Sequence, residues 1–401
     1  NQAKSNFIEP MIQIHQAHLI MLVEEGIVEK KDAIKIFRAI ENIDIEQVKQ
    51  SAYDASFEDL FFKIEDFLIK EAGDLAGNLH IARSRNDMGI AIYRITLRER
   101  ILNLIETAMD LREVLIDLTE EYIDTIMIGY THTQQAQPTT LGHYFNAMTD
   151  MLTRDVNRLI SAFHTINASS MGAAALTTSG FPINRNRVKE LLGFDKIIEN
   201  SWDAVAGADY IGEAATSVQL AAINLGRSIQ DFLLWATQEF GAIKLSSPYV
   251  QISSIMPQKR NPVSIEHMRA LLSSVIGNAQ TVLMMTHNTP FGDIVDTEDD
   301  MQPYMWKAMD TLQGIYHLLS CVLITMEVDK DKILKRAKES FANVTELADT
   351  LVRTNGISFR QAHKIVSTSV KELTARGEKL KELTIDLINR NAEAIIGRKL
   401  A

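Results

Sequence analysis

The stretch around which the chain is organised is Gln251-Ile252-Ser253-Ser254-Ile255-Met256-Pro257-Gln258-Lys259-Arg260-Asn261-Pro262. Pro257 and Pro262 each remove an N–H donor and push the preceding residue out of the α region, so no helix continues through this stretch. Helical spacing of polar and apolar residues resumes directly at Val263. The sequence therefore predicts a polar loop between helices, which is where a rigid scaffold commonly presents functional groups.

The residue types of this loop favour an anionic ligand. Lys259 and Asn261 accompany two small hydroxyl side chains, and the loop leads into a helix whose N-terminal N–H groups attract negative charge. Such a loop would hold a carboxylate and stabilise negative charge that develops beside it. Composition alone is equally consistent with a proline-bounded helix connection that carries a solvated Lys-Arg pair.

Two further polar clusters interrupt the predicted helices, at 77–87 and at 129–138. The first is also typical of an N-capping loop with salt-bridged arginines. The second contains His132. A single histidine in a helical protein is more often structural than catalytic, but its place between two threonines, in a break between long helices, favours a functional role.

Apolar residues at helical spacing predict five long helices and a set of shorter ones. The long helices are expected at 88–128, 141–166, 204–240, 263–285 and 304–327. We find no strand-like alternation, and the eight prolines and 7% aromatic residues also suit a helical chain. The prediction is an all-α protein with an elongated central helical bundle at 83–328 and small helical domains at 1–82 and 329–401.

The net negative charge and the hydropathy of the chain limit the kinds of partner that the protein could bind. A net charge of −11 argues against nucleic acid and against an anionic membrane surface. The longest apolar run, 318–328, is too short to span a bilayer and contains Ser320 and Thr325. Residues 1–6 lack the apolar region of a signal peptide. We therefore expect a cytoplasmic protein with no membrane and no nucleic-acid partner.

Two other features predict structural roles. The single cysteine, Cys321, cannot form an internal disulfide, which favours a reducing compartment, and its apolar neighbours predict a buried side chain rather than a catalytic thiol. The small-residue tract 169–175 lacks both the preceding strand and the Gly-Lys-Ser/Thr of a phosphate loop, so it predicts close backbone packing. We expect no cofactor and no metal.

The motifs resemble a known family. Ser-Ser-x-Met-Pro-x-Lys-x-Asn-Pro at 253–262 resembles the signature loop of the fumarase/aspartase superfamily, whose members cleave a C–N or C–O bond and release fumarate. His-x-Ala-Arg-Ser-Arg-Asn-Asp at 80–87 and Gly-Tyr-Thr-His-x-Gln-x-Ala-Gln-Pro at 129–138 are similar to the first and second motifs of argininosuccinate lyases. The tail from Asp329 looks like the C-terminal domain of that branch, and the resemblance covers essentially the whole chain.

This resemblance implies roles for individual residues. It implies Ser253 as the base, with Ser254 able to share that role, and His132 paired with Glu266 as the group that protonates or orients the leaving nitrogen. The substrate-binding residues that it implies are Arg85, Asn86, Thr131, Lys259 and Asn261. It also implies a homotetramer with a twenty-helix core, in which each active site takes residues from three subunits.

Two positions depart from the argininosuccinate lyase pattern. A family run of Tyr-Asn-Lys/Arg-Asp-x-Gln-Glu-Asp, which helps to hold the substrate, corresponds here to 291–300, and a substrate-binding Ser is replaced by His15. The acids Asp293, Asp296 and Glu298 either face a cationic amine or form a solvated acidic loop. The half of the pattern that forms fumarate is intact, and the half that recognises the amine is altered.

The expected function is elimination of an amine or guanidine from an N-substituted aspartate to release fumarate, with argininosuccinate as the substrate and arginine as the second product. One alternative is a related lyase for a different N-substituted aspartate. Others are a catalytically inactive, crystallin-like structural protein and a helical scaffold without a site. The crystallin-like alternative is disfavoured by the retention of His132, Ser253, Lys259, Asn261 and Glu266.

Overall fold

The computed structural model describes residues 2–52 and 55–400, apart from the side chains of residues 2 and 3. Residues 1, 53, 54 and 401, which fall within the predicted terminal domains, lie outside the described residues. Across the described ranges the chain forms fifteen α-helices and eight strands, and the strands pair into four two-stranded sheets. The predicted all-α class is confirmed.

The helices are α1 Gln2–Glu24, α2 Lys30–Glu41, α3 Ile45–Gln50, α4 Leu60–Ala72, α5 Arg85–Glu121, α6 Leu141–Ile166, α7 Arg185–Leu191, α8 Ser201–Ala206, α9 Asp209–Trp235, α10 Val263–Thr286, α11 Gln302–Thr325, α12 Lys330–Glu339, α13 Val344–Asn355, α14 Phe359–Ala375 and α15 Ile385–Ile396. The strands are β1 Ile126–Thr131, β2 Gln134–Thr140, β3 Ala168–Ser169, β4 Lys196–Ile197, β5 Ile243–Lys244, β6 Gln251–Ile252, β7 Arg260–Asn261 and β8 Glu327–Val328. Short 3-10 helices occur at Gly73–His80, Ser247–Tyr249, Val295–Thr297 and Leu380–Glu382.

The chain divides into two compact units. The first unit comprises Asn1–Asp110, Leu152–Arg227 and His267–Leu318. Its apolar core is built largely from α1, α2, α4 and the first turns of α5. The apolar face of α2 places residues three and four apart in this core, namely Ala33, Ile36, Ala39 and Ile40. Phe7 packs edge-on against Tyr93 and Trp306, with ring centroids 5.3 and 5.4 Å apart.

The second unit comprises Leu111–Met151, Ser228–Glu266 and Leu319–Ala401. It contains the β1–β2 hairpin, against which α12 packs. Helices α13, α14 and α15 share a small core that includes Leu351, Ile365 and Ala392. A capping box between Ser358 and Gln361 begins α14 by satisfying N–H groups of its first turn.

The predicted long helices are present with two corrections. The helix predicted over 88–128 ends at Glu121, and 126–131 forms β1, because the β-branched Ile126 and Ile128 pair with β2 instead, with a register shift at Gly129. The helix predicted over 204–240 is interrupted at Gly207, where a Cβ would lie 2.8 Å from the Asp203 carbonyl oxygen, and its second part ends at Trp235. Helix α6 occupies the range that the spacing predicts.

The prediction that Cys321 is buried is wrong, since its side chain is exposed. The apolar residues around it occupy one face of α11, where Leu319, Val322 and Leu323 are at most 2% exposed, and Cys321 lies on another face. Among the helices that the structure describes, none combines the length and apolarity needed to cross a membrane.

Candidate active site

His132 and Thr133 form the two-residue turn of the β1–β2 hairpin. Thr131 pairs with Gln134 across the ladder, and the φ angles of His132 and Thr133 are 49° and 62°. Asn-Gly is the sequence that favours such a turn, and a β-branched threonine seldom adopts a positive φ. Backbone strain of this kind costs on the order of 1–3 kcal/mol and is concentrated at functional sites. This strain supports a functional role for the turn.

A cleft of about 980 Å³ borders this hairpin within the second unit. Thr131 and Thr133 contribute to its wall, together with Tyr144, whose hydroxyl donates to the Asp231 carboxylate at 2.7 Å. The volume suits a small molecule. No local sequence pattern indicates the Tyr144–Asp231 pair, because its members are 87 positions apart on different helices.

The signature loop lies between two short strands. β6 pairs with β7, and the loop is closed by the Ser253 N–H, which donates to the Lys259 carbonyl oxygen at 3.2 Å. The Ser253 hydroxyl oxygen accepts N–H groups from Met256 at 3.1 Å and from Ile255 at 3.4 Å. Ser253 is half-buried, whereas Ser254 is exposed. The structure therefore distinguishes the two serines, and only the Ser253 oxygen has N–H groups that would stabilise an alkoxide.

The Lys259 ammonium of this loop is exposed, and no carboxylate of the described residues lies within 4 Å of it. Asn261 is the last residue of β7, and Glu266 lies exposed in the first turn of α10. The loop thus combines a free positive charge with the start of a helix, an arrangement that favours an anion.

The first motif lies at the start of α5 in the first unit. The Arg85 guanidinium donates to the Asp59 carboxylate at 2.8 Å and stacks over the Phe62 ring, 4.9 Å from its centroid. The Asn86 amide donates to the Ala175 carbonyl oxygen at 3.1 Å and accepts from the Ser84 hydroxyl. Both side chains therefore have defined orientations.

Asp87, the last residue of this motif, is a buried carboxylate that the sequence reading left without a role. It accepts N–H groups from Ser84, Gly172 and Ala174 at 2.9 to 3.0 Å. Burial raises the pKa of Asp87 to about 6, although these hydrogen bonds oppose the shift. The spacing Ser84-x-x-Asp87 before a helix is a capping-box pattern, so its signal was present in the sequence.

His15, which stands where the family has a substrate-binding serine, is 2% exposed. Its Nδ1 lies 2.8 Å from an Arg83 guanidinium nitrogen, which donates, so the ring is neutral with its proton on Nε2. Burial and the adjacent Arg83 charge hold the pKa of His15 well below its usual range. His15 therefore contacts the first motif through Arg83 and does not face solvent.

The altered stretch 291–300 is held at both ends. The Trp202 indole donates to the Phe291 carbonyl oxygen at 2.9 Å, and the Tyr93 hydroxyl donates to the Asp299 carboxylate at 2.5 Å. The pKa of Glu298 is raised to about 9, mainly by burial and to a lesser extent by a hydrogen bond with Asp293. Asp296 is exposed, so only part of this acidic stretch is solvated.

The structure brings some of the predicted residues together and leaves others apart. Ser253 and Lys259 share the signature loop, and Arg85 and Asn86 are adjacent on α5. No hydrogen bond or ion pair within the described part of the chain joins His132 to Ser253 or to Glu266. In the same residues, no three His, Cys, Asp or Glu side chains are arranged to hold a metal ion.

Family models match most of the chain. The model described as Lyase matches residues 23–277, and the model described as Argininosuccinate lyase C-terminal matches residues 341–399. Argininosuccinate lyase 2 of Agrobacterium fabrum is 43% identical over 375 residues, which cover 93% of this chain and 74% of that relative. Argininosuccinate lyase of Methanosphaera stadtmanae is 36% identical over 97% of this chain and 83% of its own length.

Solved structures agree with these sequence relatives. The crystal structure of EDDS lyase in complex with formate is 32% identical with a TM-score of 0.91, covering 99% of this chain and 78% of that one. A class II fumarase from Schistosoma mansoni shares the fold at 18% identity, with a TM-score of 0.78 over 98% of this chain and 91% of that one. The chain belongs to the argininosuccinate lyase branch of the fumarase/aspartase superfamily.

Proposed function

We propose that this protein is a carbon–nitrogen lyase that converts argininosuccinate to arginine and fumarate. The observation that carries the proposal is the signature loop, in which the Ser253 hydroxyl oxygen accepts two backbone N–H groups. The same loop carries Lys259, whose ammonium has no carboxylate partner among the described residues. The near-full-length likeness to argininosuccinate lyases supports the same reaction. The substrate is a small molecule, and we expect the protein to act in the cytoplasm without a cofactor.

The chemistry begins at the carbon next to a carboxylate of the aspartate half. Ser253, as an alkoxide, takes the proton from this carbon, and the electron pair moves onto the carboxylate to give a dianionic intermediate. Lys259, Asn261 and loop N–H groups stabilise that charge, which develops only as the proton leaves. The C–N bond then breaks to form the double bond of fumarate. His132, paired with Glu266, gives a proton to the departing nitrogen.

His132 makes no contact with Ser253 or Glu266 within the described residues, which supports a site built from more than one copy of the chain. The outer face of α5 supports an assembly. It exposes apolar residues at seven-residue spacing, Leu102 at 47%, Met109 at 42% and Ile116 at 37%, and this spacing is typical of helices that pack against another helix. The proposed assembly is a homotetramer with a twenty-helix core, whose active sites each combine residues of three subunits.

A second candidate is a related lyase that acts on a different N-substituted aspartate. The likeness to EDDS lyase favours it, as do the buried His15 and the half-buried Glu298 of 291–300. The two candidates share Ser253, Lys259 and His132, and they differ in the group that leaves.

The test is fumarate release, followed by ultraviolet absorbance, from purified protein with argininosuccinate, adenylosuccinate and EDDS. Release that is fastest from argininosuccinate supports the first candidate. Release from EDDS alone would replace it with the second. No release from any of the three would refute the proposed reaction, and a monomeric mass by light scattering would refute the shared site.

A further inference from the structure

The tract of small residues at 169–175 forms a nest of backbone N–H groups, and the Asp87 carboxylate occupies it. One carboxylate oxygen, Oδ2, accepts the N–H of Gly172 at 2.9 Å and the N–H of Ala174 at 3.0 Å. Backbone N–H groups of one turn that converge on the same point form a concave site for an anion. The tract thus binds an anion that belongs to the chain itself.

Three further hydrogen bonds extend this contact. The other carboxylate oxygen of Asp87 accepts the Ser84 N–H at 3.0 Å, within the first motif. The Ser170 hydroxyl donates to the Asp87 carbonyl oxygen at 2.7 Å, and the Asn86 amide donates to the Ala175 carbonyl oxygen at 3.1 Å. Five hydrogen bonds therefore fix the first motif and its attachment to the tract.

The nest itself has little freedom to shift. Gly172 has a φ of 86°, and a Cβ at this position would lie 2.6 Å from Cγ of Arg185. The Arg185 guanidinium donates to the Met171 carbonyl oxygen at 3.0 Å and to the Ile198 carbonyl oxygen at 2.7 Å. A rigid nest transmits its position to whatever carboxylate it holds.

We propose that Asp87 is a positioning residue of the lyase reaction: by occupying the nest at 172–174 it fixes the backbone from which Arg85 and Asn86 reach the substrate. This inference rests on the proposed function. Asp87 is 0% exposed, so it acts through its two neighbours and does not touch the substrate. Its role corresponds to that of the outer residues that orient direct ligands in other sites.

The chemistry of the contact requires a carboxylate. Its two oxygens accept three N–H groups at once, and hydrogen bonds to an ionised acceptor are about twice as strong as neutral ones. An asparagine has one accepting oxygen, so its NH₂ would face either the Ser84 N–H or the nest. In Asp87→Asn one side of the contact is therefore lost while the volume is kept.

The expected kinetic signature is an increase in KM. Arg85 and Asn86 are proposed to bind the substrate in the ground state and in the transition state alike, so their misplacement raises KM with little change in kcat. We expect Asp87→Asn to raise KM about tenfold and to change kcat less than about threefold, as loss of one charge-assisted hydrogen bond would. Ser170→Ala removes only the bond to the Asp87 carbonyl oxygen, and we expect a KM increase of roughly two- to threefold.

Asp155→Asn is the matched control. Asp155 is a 1% exposed carboxylate of the same unit, bonded to Arg158 and Asn224 at 2.8 Å each, and it lies in none of the three motifs. We expect this variant to lose stability and to keep the wild-type KM. A folded Asp87→Asn with unchanged KM would overturn the proposal, as would an equal increase of KM in Asp155→Asn. If Asp87→Asn does not fold, an unchanged KM in Ser170→Ala would overturn it.

Fumarate affinity separates this proposal from the proposed function. Titration calorimetry of wild-type protein, Asp87→Asn and Asp155→Asn with fumarate needs no turnover. Wild-type protein that releases no fumarate from the substrate panel would refute the reaction alone. The positioning role predicts a fumarate Kd about tenfold higher in Asp87→Asn and unchanged in Asp155→Asn. Equal Kd values in all three proteins, or no fumarate binding by the wild type, would overturn it.

Discussion

The hydroxyl oxygen of Ser253 accepts the backbone N–H of Met256 at 3.1 Å. This contact places partial positive charge beside the one oxygen of the loop that the proposed reaction requires as an alkoxide. The neighbouring Ser254 is exposed and has no such contact among the described residues. The two serines are therefore expected to differ in their effect on the reaction.

Replacement of Ser253 by alanine is predicted to lower kcat by on the order of 10²–10⁴, which is the usual contribution of a positioned base. Ser254→Ala, the matched control, should keep kcat within about fivefold, because its hydroxyl has no N–H partners in the loop. Steady-state fumarate release measures both variants. Equal losses in the two variants would contradict the assignment of the base to Ser253.

Complementation between variants tests the sharing of sites. His132→Ala and Ser253→Ala are each expected to be nearly inactive. If the two residues of one site come from different subunits, tetramers re-formed from an equal mixture should have about a quarter of their sites intact. Fumarate release after mixed refolding measures this fraction. Activity that stays at the level of the single variants would place His132 and Ser253 of each site in the same chain.

The ion pair of Arg85 with Asp59 is predicted to compete with the substrate. Asp59→Asn keeps the N-cap of α4, since Asn caps as well as Asp, and removes the charge that faces Arg85 at 2.8 Å. We expect KM to fall about two- to threefold, with a stability change below about 1 kcal/mol for a half-exposed pair. Asp66→Asn, which breaks the Asp66–Lys70 pair on the same helix, is the control and should leave KM unchanged. A KM that rises in Asp59→Asn would contradict the competition.

The hairpin turn should become more stable when its strain is relieved. Thr133 has a φ of 62°, which glycine adopts without steric cost. Thr133→Gly is therefore predicted to raise the free energy of unfolding by roughly 0.5–1 kcal/mol. Thr139→Gly, within β2, should lower it by a similar amount because glycine weakens a strand. Thermal unfolding measures both changes, and a less stable Thr133→Gly would show that the turn is not strained.

Buried histidines are predicted to make the fold sensitive to acid. Burial lowers the pKa of His15 and His80, and it lowers the pKa of His18 to about 3. These rings are neutral in both states above their unfolded pKa of about 6.5, so their contribution to stability is complete there and falls as the pH drops towards 3. Asp87 opposes this trend. Because its pKa is raised in the folded state, the fold gains stability as the pH falls from about 6 to about 4.

Asp155 and Glu298 act in the same direction as Asp87, because burial raises the pKa of both carboxyl groups. The contribution of a histidine is therefore measured by replacing one ring and not from the overall Tm. His18→Gln removes one titrating ring, and we expect the slope of the unfolding free energy to become shallower by up to about 1.4 kcal/mol per pH unit. His267→Gln, at an exposed position on α10, is the control. Identical pH profiles for wild-type protein and His18→Gln would contradict this account of His18.

The sequence predicted those elements whose pattern is local. The spacing of apolar residues predicted α6 and α10 because each buries one face along its length. It did not predict β1, whose residues 126–128 also continue the helical spacing of α5. The preference for a strand comes from pairing with Thr139 and Pro138 on β2, which a local pattern does not contain.

The same distinction applies to the candidate site. The resemblance identified Ser253, but the sequence did not separate it from Ser254, because the N–H groups that distinguish them depend on the loop conformation. The tract at 169–175 was predicted to pack closely, and its function as a nest for Asp87 became visible only once residues 83 to 87 positions apart were brought together. The exposed Cys321 shows how neighbours in sequence mislead when a helix buries only one face.

The most direct test of the central claim is the stoichiometry of the products formed from argininosuccinate by the purified protein. Fumarate by ultraviolet absorbance and arginine by amino-acid analysis are measured in the same reaction, beside Ser253→Ala. The proposed reaction predicts equal amounts of the two products from the wild-type protein and almost none from the variant. Absence of both products, or equal formation by Ser253→Ala, would contradict it.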